Sequence, residues 1–208
     1  KFKTSINKWP VNIKEPDEKV LNKAQLEYIE NYTNTFEALL QAGEYEQIYN
    51  EYINIDSFID YWLVQAIVGN REMTNIYSIY CYKDRNKKLY AGPLWDFDYT
   101  TFTLESNNNN KGAVWYKYLF QDPYFKRKAI ERFQNLKPQL MGIADYIVKK
   151  ASSLSLSEKE NWKLWPLLNL DGTIIPNNDE QLSYEEAISR MKNVYQKRLE
   201  WIEQQLNN

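Results

Sequence analysis

Asp96 and Asp98 stand two residues apart in the run Trp95-Asp-Phe-Asp98. Carboxylates at this spacing share one face of a regular strand, and in a loop both can turn onto one cation. Two such oxygens, with water and phosphate completing an octahedron, are a common way of holding Mg²⁺. Trp95 and Phe97 are expected to bury beside them, which would lower the local dielectric and strengthen any charge interaction. The same spacing also fits an exposed turn after a strand. A second cluster lies upstream in Gly69-Asn-Arg-Glu-Met-Thr-Asn75. Glu72 is the candidate proton acceptor for a substrate hydroxyl, and Asn70 and Asn75 are candidates to ligate a metal or bind a phosphate oxygen. Loops held by rigid elements are where catalytic groups concentrate. A solvated helix-to-strand connection, with asparagines tolerating left-handed backbone, is the competing reading of this stretch.

What the chain lacks narrows the chemistry. It has no histidine, which removes the Ser-His-Asp triad, the Cys-His dyad, the HExxH zinc site and the histidine base. Its one cysteine, Cys81, allows no internal disulfide and no cysteine-cluster metal site. Carboxylates, amides, lysines and hydroxyls remain, and the metals that suit them are oxygen-loving cations. Lys+Arg 26 against Asp+Glu 28 leaves a net charge of -2, which argues against nucleic acid as a partner. No apolar run approaches the roughly 20 residues a transmembrane helix needs. The chain opens Lys1-Phe-Lys3 without an apolar signal core.

The elements that must position these residues read as mostly helical. Residues 1–21 look irregular, broken by Pro10 and Pro16. Asn22 is placed to cap a helix carrying Leu26, Ile29, Thr33, Phe36 and Leu40, which Gly43 ends. A second helix starts at Asp56 or Ser57, carries Phe58, Trp62, Ala66 and Ile67, and stops at a left-handed Gly69. The β-branched and aromatic run Ile76–Tyr82, the turn residues Lys83–Asn86 and Lys87–Ala91 predict a β-hairpin over 76–92. Asn107–Asn110 is a polar loop. Further helices are expected near 113–120, from Asp122-Pro123, over 138–152 and over 157–164. A loop spans Pro166–Pro176, and the capping box Ser183-Tyr-Glu-Glu186 starts a terminal helix. With no internal repeat or linker, 1–208 reads as one mainly α domain with a small antiparallel β-hairpin, an α+β chain.

A loop with a candidate base, a short hairpin, then an acidic motif is the order found in protein kinases. The individual residues carry a closer likeness. Asp56–Asn70, Tyr80-Cys-Tyr-Lys-Asp84 and Ala91-Gly-Pro-Leu-Trp-Asp-Phe-Asp98 resemble the spore coat protein H (CotH) kinase-like family. Ile13-Lys-Glu-Pro-Asp17, Gln25–Ile29, Trp115–Pro123 and the Ser183–Glu186 helix are similar to its flanking parts, so the likeness covers essentially the whole chain. It implies the C-terminal lobe of an atypical protein-kinase-like fold that uses ATP and Mg²⁺ to phosphorylate protein Ser or Thr. On that likeness Asp96 stands where the family's metal-binding Asp stands, with Asp98 beside it, and both fall among the nucleotide and metal contacts. Glu72 falls where many members carry an Asp after Gly-Asn. Against that likeness the family's nucleotide-covering lobe and its phosphate-contacting lysine are expected to be absent from this chain, which reads either as a fragment of a longer protein or as a protein that has lost its nucleotide grip. The likeness also favours an extracytoplasmic or cell-surface bacterial setting. The alternatives are a pseudokinase or surface-interaction module on the same fold, or a carbohydrate-active or carbohydrate-binding domain using Glu72 and Asp96. For the last, helical spacing assigns most of the aromatics to core packing instead.

Overall fold

The structure is a computed structural model and describes residues 1–74, 79–97, 100–102, 109–164 and 182–207. It is mainly helical with small antiparallel β structure, as the sequence predicts, and the described residues carry two such ribbons where one hairpin is expected. The chain forms two compact units. Lys1–Leu63, Glu72–Trp95 and Asn110–Ala129 make the first; Val64–Arg71, Asp96–Asn109 and Ile130–Asn208 make the second.

In the first unit, β1 (Phe2–Lys3) pairs with β2 (Pro10–Val11), a ribbon that falls inside the stretch expected to be irregular. Pro10 is tolerated because so short a ribbon is all edge. Helix α1 (Lys23–Ala42) has the predicted ends. Asn22 and Gln25 form a reciprocal capping box, and Gly43 closes the helix at φ 75. A three-residue helix, α2 (Tyr45–Gln47), leads into a π-turn (Ile48–Tyr52) and then the start of α3 (Ile55–Val68), whose residues from Val64 on belong to the second unit. The expected hairpin is present, with β3 (Cys81–Tyr82) paired to β4 (Tyr90–Ala91), while the start of the expected range, 76–78, lies outside the described residues. Leu89, expected in the second strand, donates to Tyr52 O at 2.8 Å and accepts from Asn54 N at 2.9 Å, so it pairs with the end of the π-turn instead. Helix α4 (Tyr116–Leu119) and the start of α5 (Pro123–Leu164) follow. Asp122 caps α5, accepting from the Tyr124 and Phe125 amides at 3.0 and 3.2 Å and from the Tyr49 hydroxyl at 2.6 Å. Burial first, and then that bond to Asp122, hold the Tyr49 hydroxyl far above its usual pKa.

Aromatic contacts fill the first unit's core. Trp62 meets Phe120 at 4.7 Å between ring centres, Phe120 meets Phe125 at 5.2 Å, and Phe36 meets Trp115 edge-on at 5.0 Å. One carboxylate lies among them. Glu37 is fully buried, and accepts from the Trp115 indole N–H at 2.9 Å and the Asn7 amide at 3.3 Å. It thus ties the N-terminal segment and the α4 entry to α1 through hydrogen bonds, which is how a buried polar group offsets its desolvation.

In the second unit, α5 runs antiparallel to α6 (Tyr184–Asn207). The order of contacts shows the direction: Lys137 to Glu203 at 2.6 Å, Tyr195 hydroxyl to Leu140 O at 2.8 Å, Lys192 to Asp145 at 3.2 Å, and Tyr184 hydroxyl to Ala151 O at 3.0 Å. The Ser183–Glu186 box forms as predicted, and its hydrogen bonds hold the Glu186 carboxyl below the usual range. Separate helices over 138–152 and 157–164 are corrected to one continuous α5 with Pro138 inside it. The serine-rich stretch continues as helix, with the Ser152 and Ser153 hydroxyls bonded back to Val148 O and Lys150 O. The expected Pro166–Pro176 loop lies outside the described residues.

Two substitutions test these assignments in urea unfolding. Glu37→Ala leaves two half-buried donors, the Asn7 amide and the Trp115 indole, without this acceptor. At the lower end of the roughly 1–3 kcal/mol per orphaned group it is expected to lower stability by about 2 kcal/mol, with Glu37→Gln losing less. Pro138→Ala restores a helical N–H at an exposed position. Removing an interior proline gains about 3 kcal/mol, and the freer unfolded chain gives back about 1, so stability should rise by about 2 kcal/mol.

Candidate functional site

The loop bearing Asn70 begins where α3 runs out of helical partners. Gly69 takes φ 74, its N–H bonds to Ala66 O at 3.3 Å, and the Asn70 N–H reaches back to Gln65 O at 3.0 Å. That pair of bonds is the Schellman closure, which requires a left-handed residue where glycine stands. Asn70 is fully buried. Glu72 opens a short 3₁₀ turn (Glu72–Thr74) whose middle residue, Met73, is sunk in the core, and Glu72 itself is half-buried.

Asp96 lies at φ 62, a left-handed conformation that an aspartate adopts at modest cost. Its carboxylate is at an exposed position. The expectation that Trp95 buries beside it is corrected: Trp95 is 47% exposed and packs edge-on against Tyr80 at 5.3 Å. Phe97 is half-buried, and its carbonyl accepts from the Thr101 hydroxyl. Thr100 and Phe102 also take left-handed backbone, at φ 64 and 56, which is costly for a β-branched and a bulky residue. Their conformation is held from outside, since Phe102 N donates to Val68 O at 2.8 Å and Arg71 N donates to the Thr100 hydroxyl at 3.2 Å.

The loops carrying Asn70 and Asp96 are therefore laced together inside the second unit. Glu72 belongs to the first unit. Asn75 and Asp98 lie outside the described residues. Among the described residues, no group of three or more His, Cys, Asp or Glu side chains could hold a metal ion, and no helix is long and apolar enough to cross a membrane.

Sequence reasoning missed two contributors. Thr100 gives no signal beyond its hydroxyl. Arg198 gave one: it falls on the apolar stripe of α6 that carries Tyr195 and Ile202, and a charge there calls for a buried partner. Its guanidinium donates to the carbonyls of Ala66 and Ile67, on the last turn of α3.

A residue-spanning match now bears on this geometry. The model of the CotH kinase protein family matches residues 3–202. The chain belongs to the CotH kinase family. No curated protein and no solved structure matches the chain.

The first unit of this CotH-family chain also holds a cleft of about 1270 Å³. Trp9, Tyr80 and Trp115 line it, as do Lys3, Lys14 and Lys83. The Trp115 indole is fixed by Glu37, and Lys83 is fixed over the rings of Tyr28 and Tyr32, donating to the Tyr28 hydroxyl at 2.6 Å. Cys81 lines the same cleft, and burial, opposed by the Gly92 N–H, pushes its thiol up to about 12.

That shift has a measurable consequence. At pH 8 the thiol is expected to stay protonated and to react with a disulfide reagent about a hundredfold or more slowly than in the unfolded chain. The folded pKa is raised above the unfolded value of 9.0, so the protonated thiol's contribution to stability is complete below pH 9 and is lost as pH rises towards 12. Labelling rates and urea midpoints from pH 8 to 11 check both.

Proposed function

We propose that this CotH-family domain transfers the terminal phosphoryl group of ATP to a serine or threonine hydroxyl of a protein, with Mg²⁺. The observation that carries the reading is the lacing of the Asn70 loop to the Asp96 loop at the end of α3. Phosphoryl transfer asks a protein for positioning and charge stabilisation more than for covalent chemistry, and a rigid pair of polar loops supplies positioning.

The donor set fits the ion. Carboxylate and amide oxygens suit Mg²⁺, and an exposed Asp96 leaves room for the waters and phosphate oxygens that this cation retains. Asp96, with Asp98, would hold it. When bound, the ion neutralises charge on the phosphates. Asn70 and Asn75 would orient metal or phosphate oxygens, and Glu72 would accept the substrate hydroxyl proton. The cleft of the first unit, aromatic and rich in lysine, supports a planar anionic ligand such as a nucleotide.

Glu72 also favours a second reading, a pseudokinase or surface-interaction module. A glutamate is one methylene longer than the aspartate it replaces in many relatives, and a displacement of ~1 Å costs about a hundredfold in rate. Labelled-phosphate transfer by the protein to Ser/Thr peptides separates the two. Transfer should be Mg²⁺-dependent, about a hundredfold or more slower in Asp96→Ala, and slower by about 10²–10⁴ in Glu72→Gln. No transfer, with no thermal shift by ATP and Mg²⁺, overturns the proposal; a shift produced by sugars instead points to carbohydrate binding.

A further inference from the structure

Arg198 is buried on α6 at 5% exposure, surrounded in sequence by the buried Val194, Tyr195, Leu199 and Ile202. Its guanidinium carbon lies 4.6 Å from the centre of the Trp201 ring. Nε donates to Ile67 O at 3.4 Å, and Nη2 donates to Ala66 O. These carbonyls belong to the last turn of α3, where helical partners are missing and the backbone dipoles leave negative charge. Burial lowers the Arg198 pKa to about 10, so the group remains a cation at neutral pH.

What hangs from this turn gives the contact its meaning. Gly69, Asn70 and Arg71 follow directly. Asn70 N bonds to Gln65 O, Phe102 N bonds to Val68 O, and Arg71 N bonds to the Thr100 hydroxyl. Four successive carbonyls, those of residues 65 to 68, are thus committed to bonds from the Asn70 loop, the Asp96 loop or Arg198. Phe102 also lies 6.4 Å, ring to ring, from Tyr195, one turn before Arg198. A rotation of that turn would move both loops.

We infer that Arg198 is a positioning residue for the candidate site. By fixing the carbonyls of Ala66 and Ile67 it sets the direction in which Asn70 leaves α3 and the register on which the Asp96 loop is pinned. Helix α6 is then part of the site's framework, holding it through the α3 carbonyls and through Tyr195 against Phe102. A lysine offers a single ammonium where two carbonyls are reached by a planar fork, so it replaces the arginine only in part. The inference rests on the phosphotransfer reading for its effect on rate, but not for its effect on the loops.

The test compares Arg198→Met, Arg198→Lys and a control, Tyr184→Phe, which deletes one hydrogen bond between α5 and α6 at Ala151 O. Two readouts are taken on the full chain, under conditions where each variant is folded by circular dichroism. Amide exchange at Asn70 and Phe102 should quicken at least about tenfold in Arg198→Met relative to amides of α1, with Arg198→Lys intermediate and Tyr184→Phe unchanged. Turnover at saturating ATP and Mg²⁺ should fall about 10–100-fold in Arg198→Met with the peptide KM within about threefold, and Arg198→Lys should recover part of the loss. If Arg198→Met does not fold, Arg198→Lys decides by the same two readouts. Exchange at Asn70 and Phe102 no faster than in Tyr184→Phe, or turnover equal to that control, overturns the inference. A wild-type protein with no transfer overturns the phosphotransfer reading instead, and the exchange result still decides the role of Arg198.

Discussion

The end of α3 is the constraint on which the second unit depends. A helix leaves its last carbonyls without internal partners, and in a buried setting each must find a donor. Here the carbonyl of Gln65 takes the Asn70 amide, Ala66 takes the Gly69 amide and Arg198, Ile67 takes Arg198, and Val68 takes the Phe102 amide. Each donor comes with a consequence. The first two turn the chain into the candidate loop, the guanidinium brings in α6, and the last folds the segment after Asp96 back on the helix. An ordinary requirement of helix termination has become the joint of the polar loops. It also explains how left-handed Thr100 and Phe102 persist, since the surrounding bonds over-determine them.

The first unit is organised by a different device. Glu37 is a carboxylate in an aromatic core, and its acceptors fix groups far apart in sequence, Asn7 and Trp115. Neutral N–H donors satisfy it, so it gives direction as well as attachment: an indole has one N–H, and bonding it fixes the plane of the ring. Trp115 thereby becomes a rigid wall of the cleft. Lys83 is constrained similarly by Tyr28 and Tyr32, so the cleft's aromatic face and at least one of its cations are preorganised, which lowers the ordering cost of any ligand it takes.

Sequence reading succeeded where the determining interaction is local. Asn22 with Gln25, Gly43, Gly69, Asp122 before Pro123, and Ser183 with Glu186 each satisfy backbone groups within a few residues, so their types alone mark the ends of α1, α3, α5 and α6. It fell short where a distant partner decides. Leu89 has the composition of a hairpin strand and is captured by Tyr52 and Asn54. Pro138 has the look of a helix start, yet the turns on either side hold it in the interior of α5. Trp95 looks like a core residue and lies half in solvent against Tyr80. For the candidate site the sequence offers residue types and chain order, whereas Arg198 and Thr100 meet those loops through contacts that no spacing rule encodes.

The absence of histidine gives the remaining pieces a chemical logic. Without histidine the candidate proton acceptor here is a carboxylate, a type whose ordinary pKa is near 4 and which is poorly matched to strong base catalysis at neutral pH. Acyl transfer and proton abstraction from carbon depend heavily on such a base. Phosphoryl transfer passes through a loose transition state in which bond formation to the hydroxyl lags, so little proton transfer is needed early and a weak base is enough. Most of the barrier is lowered by alignment and by charge placed beside the phosphate oxygens. Alignment is what the joint at the end of α3 offers, and an exposed aspartate on a loop pinned to that joint is where such charge would be held.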